Sequence, residues 1–408
     1  MRIKIVIIGL IILLLGCSEN PEVKYLKTGN WRGALLLQEQ QELPFTFNLE
    51  ITDGMYLMTI ENAEERIYVD EIVILGDSIT IKLPVFEGYI AGTFDSLTIR
   101  GDFIKESLDH VVPFQAEFGE NERFPERDKA TSNFSGIWET VFYPEENDPY
   151  LAKGIFTQKD SHVTGTFRTA TGDYRYLEGV VEGDSVMLST FDGAHAFLFT
   201  AGITADSTLN GKFYSGNHSL EPFTAKRNPS FKLSDANTLT FLKEGYEGFG
   251  FAFPDSEGTI ISADDAAFTD KVVIVQIMGT WCPNCLDESK FLVEYLKQNP
   301  SPDLAVVALA FEYAKTEEQA FKGINRLRDR LGINYPILLA QYGSSDKTKA
   351  SEKLPMLNTV LSYPTTVFID KQGKVRKIST GFNGPATGQK YLDFKEEFIT
   401  FVNSLLSE

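Results

Sequence analysis

Cysteine is scarce: the 408-residue chain has three, at positions 17, 282 and 285. An exported chain so poor in cysteine has no disulfide framework to staple it, so its folding rests on buried apolar surface. Histidine is also sparse, and His110, His162, His195 and His218 lie far upstream of the Cys-x-x-Cys pair at spacings that match no ligand motif. A tetrahedral zinc site needs a second pair of ligands near the first, so neither a metal nor another cofactor is expected. Positive charge is in deficit, 38 Lys and Arg against 57 Asp and Glu for a formal net charge of -19. Nucleic acid and anionic lipid surfaces would repel such a chain. Long apolar runs are missing after the first residues, so no later segment could span a bilayer. What remains is 43% hydrophobic and 12% aromatic, enough for buried cores, and the length predicts more than one domain.

The chain opens with Arg2 and Lys4, an apolar run from Ile5 to Leu15, and Leu14-Leu15-Gly16-Cys17 before polarity returns. A positive start, a short apolar middle and a small residue before the break are marks of an export signal. The ending resembles a bacterial lipobox, which implies a signal peptide over 1–16 and a lipid on Cys17. Residues 17–27 then serve as anchor and tether. The expected location is the bacterial cell envelope, with the chain held to a membrane by that lipid and facing the periplasm or the exterior.

Two β-rich units follow, over 28–118 and 132–227, and they repeat one pattern. Trp31, Gly76-Asp77-Ser78 and Leu97 to Phe103 in the first match Trp138, Gly183-Asp184-Ser185 and Leu209 to Phe213 in the second. Alternation such as Phe45-Thr46-Phe47-Asn48-Leu49 predicts antiparallel strands with one buried face. Each unit is expected to be a sandwich or a small barrel, with the repeated Trp as core anchors and the histidines on surfaces or loops. A connecting segment occupies 228–245.

From residue 246 to 408 the pattern becomes α/β. A near-continuous apolar strand runs from Lys271 to Met278, and a helix starts after Cys282. Further strands are expected at 304–311, 335–340, 366–370 and 375–380, with helices at 317–331 and 389–405. Trp281-Cys282-Pro283-Asn284-Cys285 therefore sits where a buried strand meets a helix. Unpaired N–H groups and the helix dipole at a first turn favour thiolate over thiol. Cys282, at the helix start, is the expected nucleophile, and Cys285, nearly one turn further in, the resolving thiol. Pro283 suits a first turn because its missing N–H is not needed there.

The combination of the strand Val272 to Met278, the turn Gly279 to Cys285, Glu288 and the segment Tyr363-Pro364-Thr365-Thr366-Val367-Phe368-Ile369-Asp370 resembles the TlpA-like (ResA-like) branch of the thioredoxin superfamily. Those proteins are membrane-tethered disulfide reductases of bacterial envelopes. The resemblance covers about two fifths of the chain and leaves out the β-rich units. It implies a thioredoxin-like α/β domain behind an all-β region of two repeated antiparallel units. It also implies a cis bond at Pro364 facing the pair, substrate contacts from Trp281, Pro283, Tyr363 and Thr365, and a proton-carrying role for Glu288. The buried acid found in many thioredoxins six residues before the first Cys is replaced here by Gln276. Glu288 lies three residues beyond Cys285 and shares its helix face, while the neighbouring Asp287 is expected on the solvent side.

The expected function is thiol-disulfide exchange, reducing disulfides of exported or envelope proteins with electrons from a membrane donor. The competing reading is a surface lipoprotein whose β units bind a glycan or a protein, with the redox domain as an accessory.

Overall fold

The computed structural model describes residues 25–125, 128–145, 149–204 and 207–408. The expected signal peptide and Cys17 lie outside them. Among the described residues no helix is long and apolar enough to cross a membrane.

The first β unit is a nine-stranded antiparallel sheet that runs from Gly29–Leu36 to His110–Phe118. The second, from Gly136–Phe142 to Ser219–Arg227, closes into an eight-stranded barrel. The choice between sandwich and barrel is thus resolved for the second unit by closure between its first and last strands, where Trp138 pairs with Arg227. Trp31 and Trp138 are both buried, each with its indole N–H donating to the carbonyl four residues earlier, Lys27 and Phe134. Aromatic rings fill the barrel, with Phe142 and Phe199 touching each other and both Phe167 and Phe213.

The two units share an interior. Phe191 on the outside of the barrel stacks on Phe45 of the sheet at 4.4 Å between ring centroids. Asn62 donates to the Phe191 carbonyl at 2.9 Å and accepts from its N–H at 3.2 Å. Arg123, in the connection between the units, is buried and pairs with Glu178 at 3.3 Å while donating to Ser189 Oγ at 3.1 Å. A buried guanidinium requires such partners, because an unpaired charge away from water is costly.

The C-terminal domain has a five-stranded sheet, β1 (Val272–Met278), β2 (Leu304–Phe311), β3 (Ile337–Gln341), β4 (Thr365–Ile369) and β5 (Val375–Thr380), in the order β3-β2-β1-β4-β5. β1 pairs parallel with β2 and antiparallel with β4. Its central place explains its run of apolar residues, all buried, since both faces are covered by helices. Those helices are α1 (Pro283–Gln298), α2 (Glu317–Leu331), α3 (Lys347–Lys353) and α4 (Gln389–Ser407). α2 has a clear local code. Thr316 Oγ1 accepts from the Gln319 N–H at 3.2 Å, acids fill its first turn, and Gly332 ends it at φ 65°.

The domain is held against both β units. Arg330 pairs with Asp70 at 2.8 Å, and Arg326 pairs with Glu71 at 2.7 Å and donates to the Leu83 carbonyl at 2.6 Å. Val85 and Phe86 of the first unit join the apolar core of the C-terminal domain. From the second unit, Arg168 donates to Asn383 Oδ1 at 2.8 Å and Asp173 accepts from the Gly384 N–H at 2.6 Å. The segment before β4 forms α3, and beyond it the Asn358 side chain is bonded to Leu239 and Phe241 of the connecting segment.

Candidate functional site

β1 delivers the chain to Cys282, which caps α1: its Sγ accepts from the Cys285 N–H at 3.2 Å. The same Sγ lies 3.5 Å from the Tyr363 carbonyl, to which the thiol can donate. Both cysteines are free thiols, with Cys285 fully buried and Cys282 6% exposed, so only the latter has an opening to partners. Burial, reinforced by the neighbouring Cys282 sulfur, pushes the Cys285 thiol well above the ordinary range. The Tyr363–Pro364 bond is cis, and the Pro364 carbonyl accepts from the Gly381 N–H at 2.7 Å.

Behind the pair lies a closed polar cluster. Glu288 is buried, its carboxylate accepting from Thr366 Oγ1 at 2.6 Å and from Gln276 Nε2 at 2.8 Å. Gln276 also reaches the Cys285 carbonyl at 3.4 Å and accepts from Ser289 Oγ at 3.1 Å. The position that could not titrate thus positions the carboxylate that can. Burial raises Glu288 to about 7 against the lowering effect of its two hydrogen bonds. Chemically, a carboxyl group poised near neutrality one turn from a buried thiol can take and return a proton.

Trp281, Pro283 and Tyr363 line, with Cys282, a cleft of about 940 Å³. The Trp281 N–H donates to the Phe311 carbonyl at 2.9 Å, and its ring meets Tyr363 edge-on at 5.6 Å. Thr365 is placed otherwise: its side chain is buried and donates to the Ser362 carbonyl at 2.8 Å, away from the cleft.

Three features were not visible in the sequence. Asp287, expected on the solvent side, is buried, because Arg175 of the barrel reaches over α1 and pairs with it. Arg175 also pairs with Glu65 of the first unit and approaches Asp192 at 3.5 Å, so one guanidinium joins all three parts of the molecule. These carboxylates raise Arg175 above the usual arginine range against the effect of burial. Next to this clamp, residues 169–173 of the barrel wedge against the redox loop. A side chain on Gly172 would collide with Asn284, and one on Gly381, at φ 80°, with the Thr171 carbonyl. Glu312, the third feature, is buried beneath Thr280 and accepts from its N–H at 2.8 Å and its Oγ1 at 2.7 Å, which fixes the approach to Trp281 and Cys282. Burial raises Glu312 to about 7.

Of the histidines expected on surfaces or loops, His162 is exposed and His195 and His218 lie in the connections between strands. His110, His195 and His218 face the cleft, with His110 and His218 stacked at 4.0 Å between ring centroids. Sequence spacing could not reveal this, since the cleft is assembled from strands more than 100 residues apart. The wall opposite the pair therefore belongs to the β units.

The model of the AhpC/TSA family matches residues 245–378. Thioredoxin-like protein YneN of Bacillus subtilis is 29% identical over 140 residues, 34% of this chain and 73% of that protein. Thiol-disulfide oxidoreductase ResA of the same organism is 25% identical over 140 residues, 34% of this chain and 69% of that protein. Among solved structures, a thiol-disulfide oxidoreductase from Bacteroides fragilis aligns over 36% of this chain and 99% of its own, at 17% identity and a TM-score of 0.27. The family match places a thioredoxin-like domain in the C-terminal region of the chain, which is similar there to thiol-disulfide oxidoreductases.

Proposed function

We propose that Cys282 and Cys285 are the redox pair of an envelope-facing lipoprotein that reduces disulfides of exported or envelope proteins, and that electrons reach it from a membrane donor. The observation that carries this reading is the arrangement around the two sulfurs: a capping Cys282 that opens to a cleft, a sealed Cys285, and buried Glu288 behind it. Cys282 thiolate attacks a partner disulfide, forming a mixed disulfide and releasing one partner sulfur as thiolate. Cys285 then gives its proton to Glu288 and attacks Cys282, which closes the internal disulfide and releases the second partner thiolate. Two electrons pass from the pair to the partner. Trp281, Pro283 and Tyr363 contact the partner chain, and Pro364 and Thr365 hold the adjoining loop. The lipid on Cys17 keeps the domain at a membrane, in line with the export pattern of residues 1–16.

The test is a trap. Cys285→Ser in the full chain should accumulate mixed disulfides on Cys282, and Cys282→Ser should accumulate none. A Cys285→Ser chain that remains free of partners, or a Cys282→Ser chain that traps them equally through Cys285, would end this reading.

A further inference from the structure

The cleft in front of Cys282 has a charge unlike the rest of the molecule. The chain has 57 acidic and 38 basic residues, yet Lys105, Lys232 and Lys347 line the cleft against a single carboxylate, Asp173. Asp173 is already engaged, accepting from the Gly384 N–H at 2.6 Å and the Arg175 N–H at 2.9 Å. Lys105 ends the strand Thr98–Lys105 at the cleft wall, where its ammonium donates to the Ala194 carbonyl. Among the described residues it has no carboxylate within ion-pair distance. Burial draws Lys105 below the ordinary lysine range, against the longer-range attraction of Asp192 and Glu87. Two polar atoms of the same lining, His110 Nδ1 and Tyr363 Oη, are buried with no hydrogen-bond partner among the described residues. Such atoms are costly to leave unpaired, and a ligand carboxylate or backbone would satisfy them.

From this we infer that the cleft selects extended peptide segments whose disulfide is flanked by carboxylates, with Lys105 as their main anchor. The inference rests on the redox reading of Cys282 and names the substrate class for it. A volume of about 940 Å³ accepts a short extended segment in front of Cys282. The chemistry is unchanged: the partner disulfide takes two electrons from the Cys282 and Cys285 dithiol and leaves as two thiols. Unlike-charge complementarity then sets which disulfide arrives.

The probes are three disulfide-linked peptide dimers, of Asp-Cys-Asp, Ser-Cys-Ser and Lys-Cys-Lys. Their binding is measured by calorimetry on the full chain with Cys282→Ser and Cys285→Ser, and their reduction by the chain with both thiols. Binding of the acidic dimer about tenfold tighter than the neutral one, with the basic dimer weakest, is the expected result. Adding Lys105→Gln should erase most of that preference. If Lys105→Gln fails to fold, Lys232→Gln with Lys347→Gln, at exposed positions, should narrow it. Equal affinities, or preference for the basic dimer, would overturn the inference. Should the chain reduce none of the dimers while its serine variant still favours the acidic one, the redox reading fails and the binding inference stands. Equal reduction of all three with equal binding leaves the redox reading and removes the inference.

Discussion

At the scale of single residues, Glu288 gives the sharpest expectations. Burial pushes its carboxyl group up to about 7 in the folded chain, from the ordinary value of about 4.5 in the exposed one. As acceptor of the Cys285 proton it must be ionised, so resolution of mixed disulfides should speed up as pH rises through about 7. Glu288→Gln should slow that step and flatten the rise, as stopped-flow reduction of a small disulfide between about pH 5 and 9 would record. An unchanged profile would return Glu288 to a purely packing role. Stability supplies a second check with a definite sign. Because the folded value is raised, Glu288 favours the fold fully only below about pH 4.5, and this contribution is lost as pH rises through about 7. The loss is about 3 kcal/mol, so urea unfolding at both ends of the window should show a pH dependence about that much smaller in Glu288→Gln than in the parent. Glu312 titrates in the same range and remains in both proteins, which keeps its effect out of the comparison. The acid was legible in the sequence because Cys285 and Glu288 share a helix face. Its enclosure by Gln276 and Thr366 was not, since those groups come from two different strands.

At the scale of elements, α1 is held from outside as well as from below. Arg175→Met would strand buried Asp287 and take a partner from Asp192 and half-buried Glu65, and breaking such a network by removing one partner costs about 3–5 kcal/mol. Lys290, an exposed partner of the same Asp287 at 3.9 Å, should cost less than about 1 kcal/mol when replaced by Ala. Comparable losses in the two urea midpoints would show that the clamp is not the buried network described. The helices and strands of this domain could be read ahead because their signals are local, above all the near-continuous apolar run of β1. Asp287 was misread for the same reason. A helix period identifies the face turned to the helix's own sheet, but it cannot register an arginine arriving from 112 residues upstream. Likewise, the alternation in the β units identified their strands and repeat, whereas closure of only the second into a barrel depends on pairing between its ends.

At the scale of the whole molecule, the β units are a wall of the redox site, fixed by exposed ion pairs on one side and by the Arg175 clamp on the other. Arg326→Glu with Arg330→Glu would set like charges against Asp70 and Glu71. Exposed pairs contribute about 1 kcal/mol or less each, so the chain should stay folded while the first β unit loosens from α2. Reduction of a bulky protein disulfide should then rise relative to that of a small one, and an unchanged ratio would show that the wall does not limit access. The central claim, that Cys282 is the accessible nucleophile and Cys285 the sealed partner, is tested most directly by alkylation. The full reduced chain is pulsed with iodoacetamide at neutral pH, and each thiol is followed by mass spectrometry. The account predicts carboxamidomethylation of Cys282 at a rate about tenfold or more above that of Cys285. Equal rates, or Cys285 first, would contradict it.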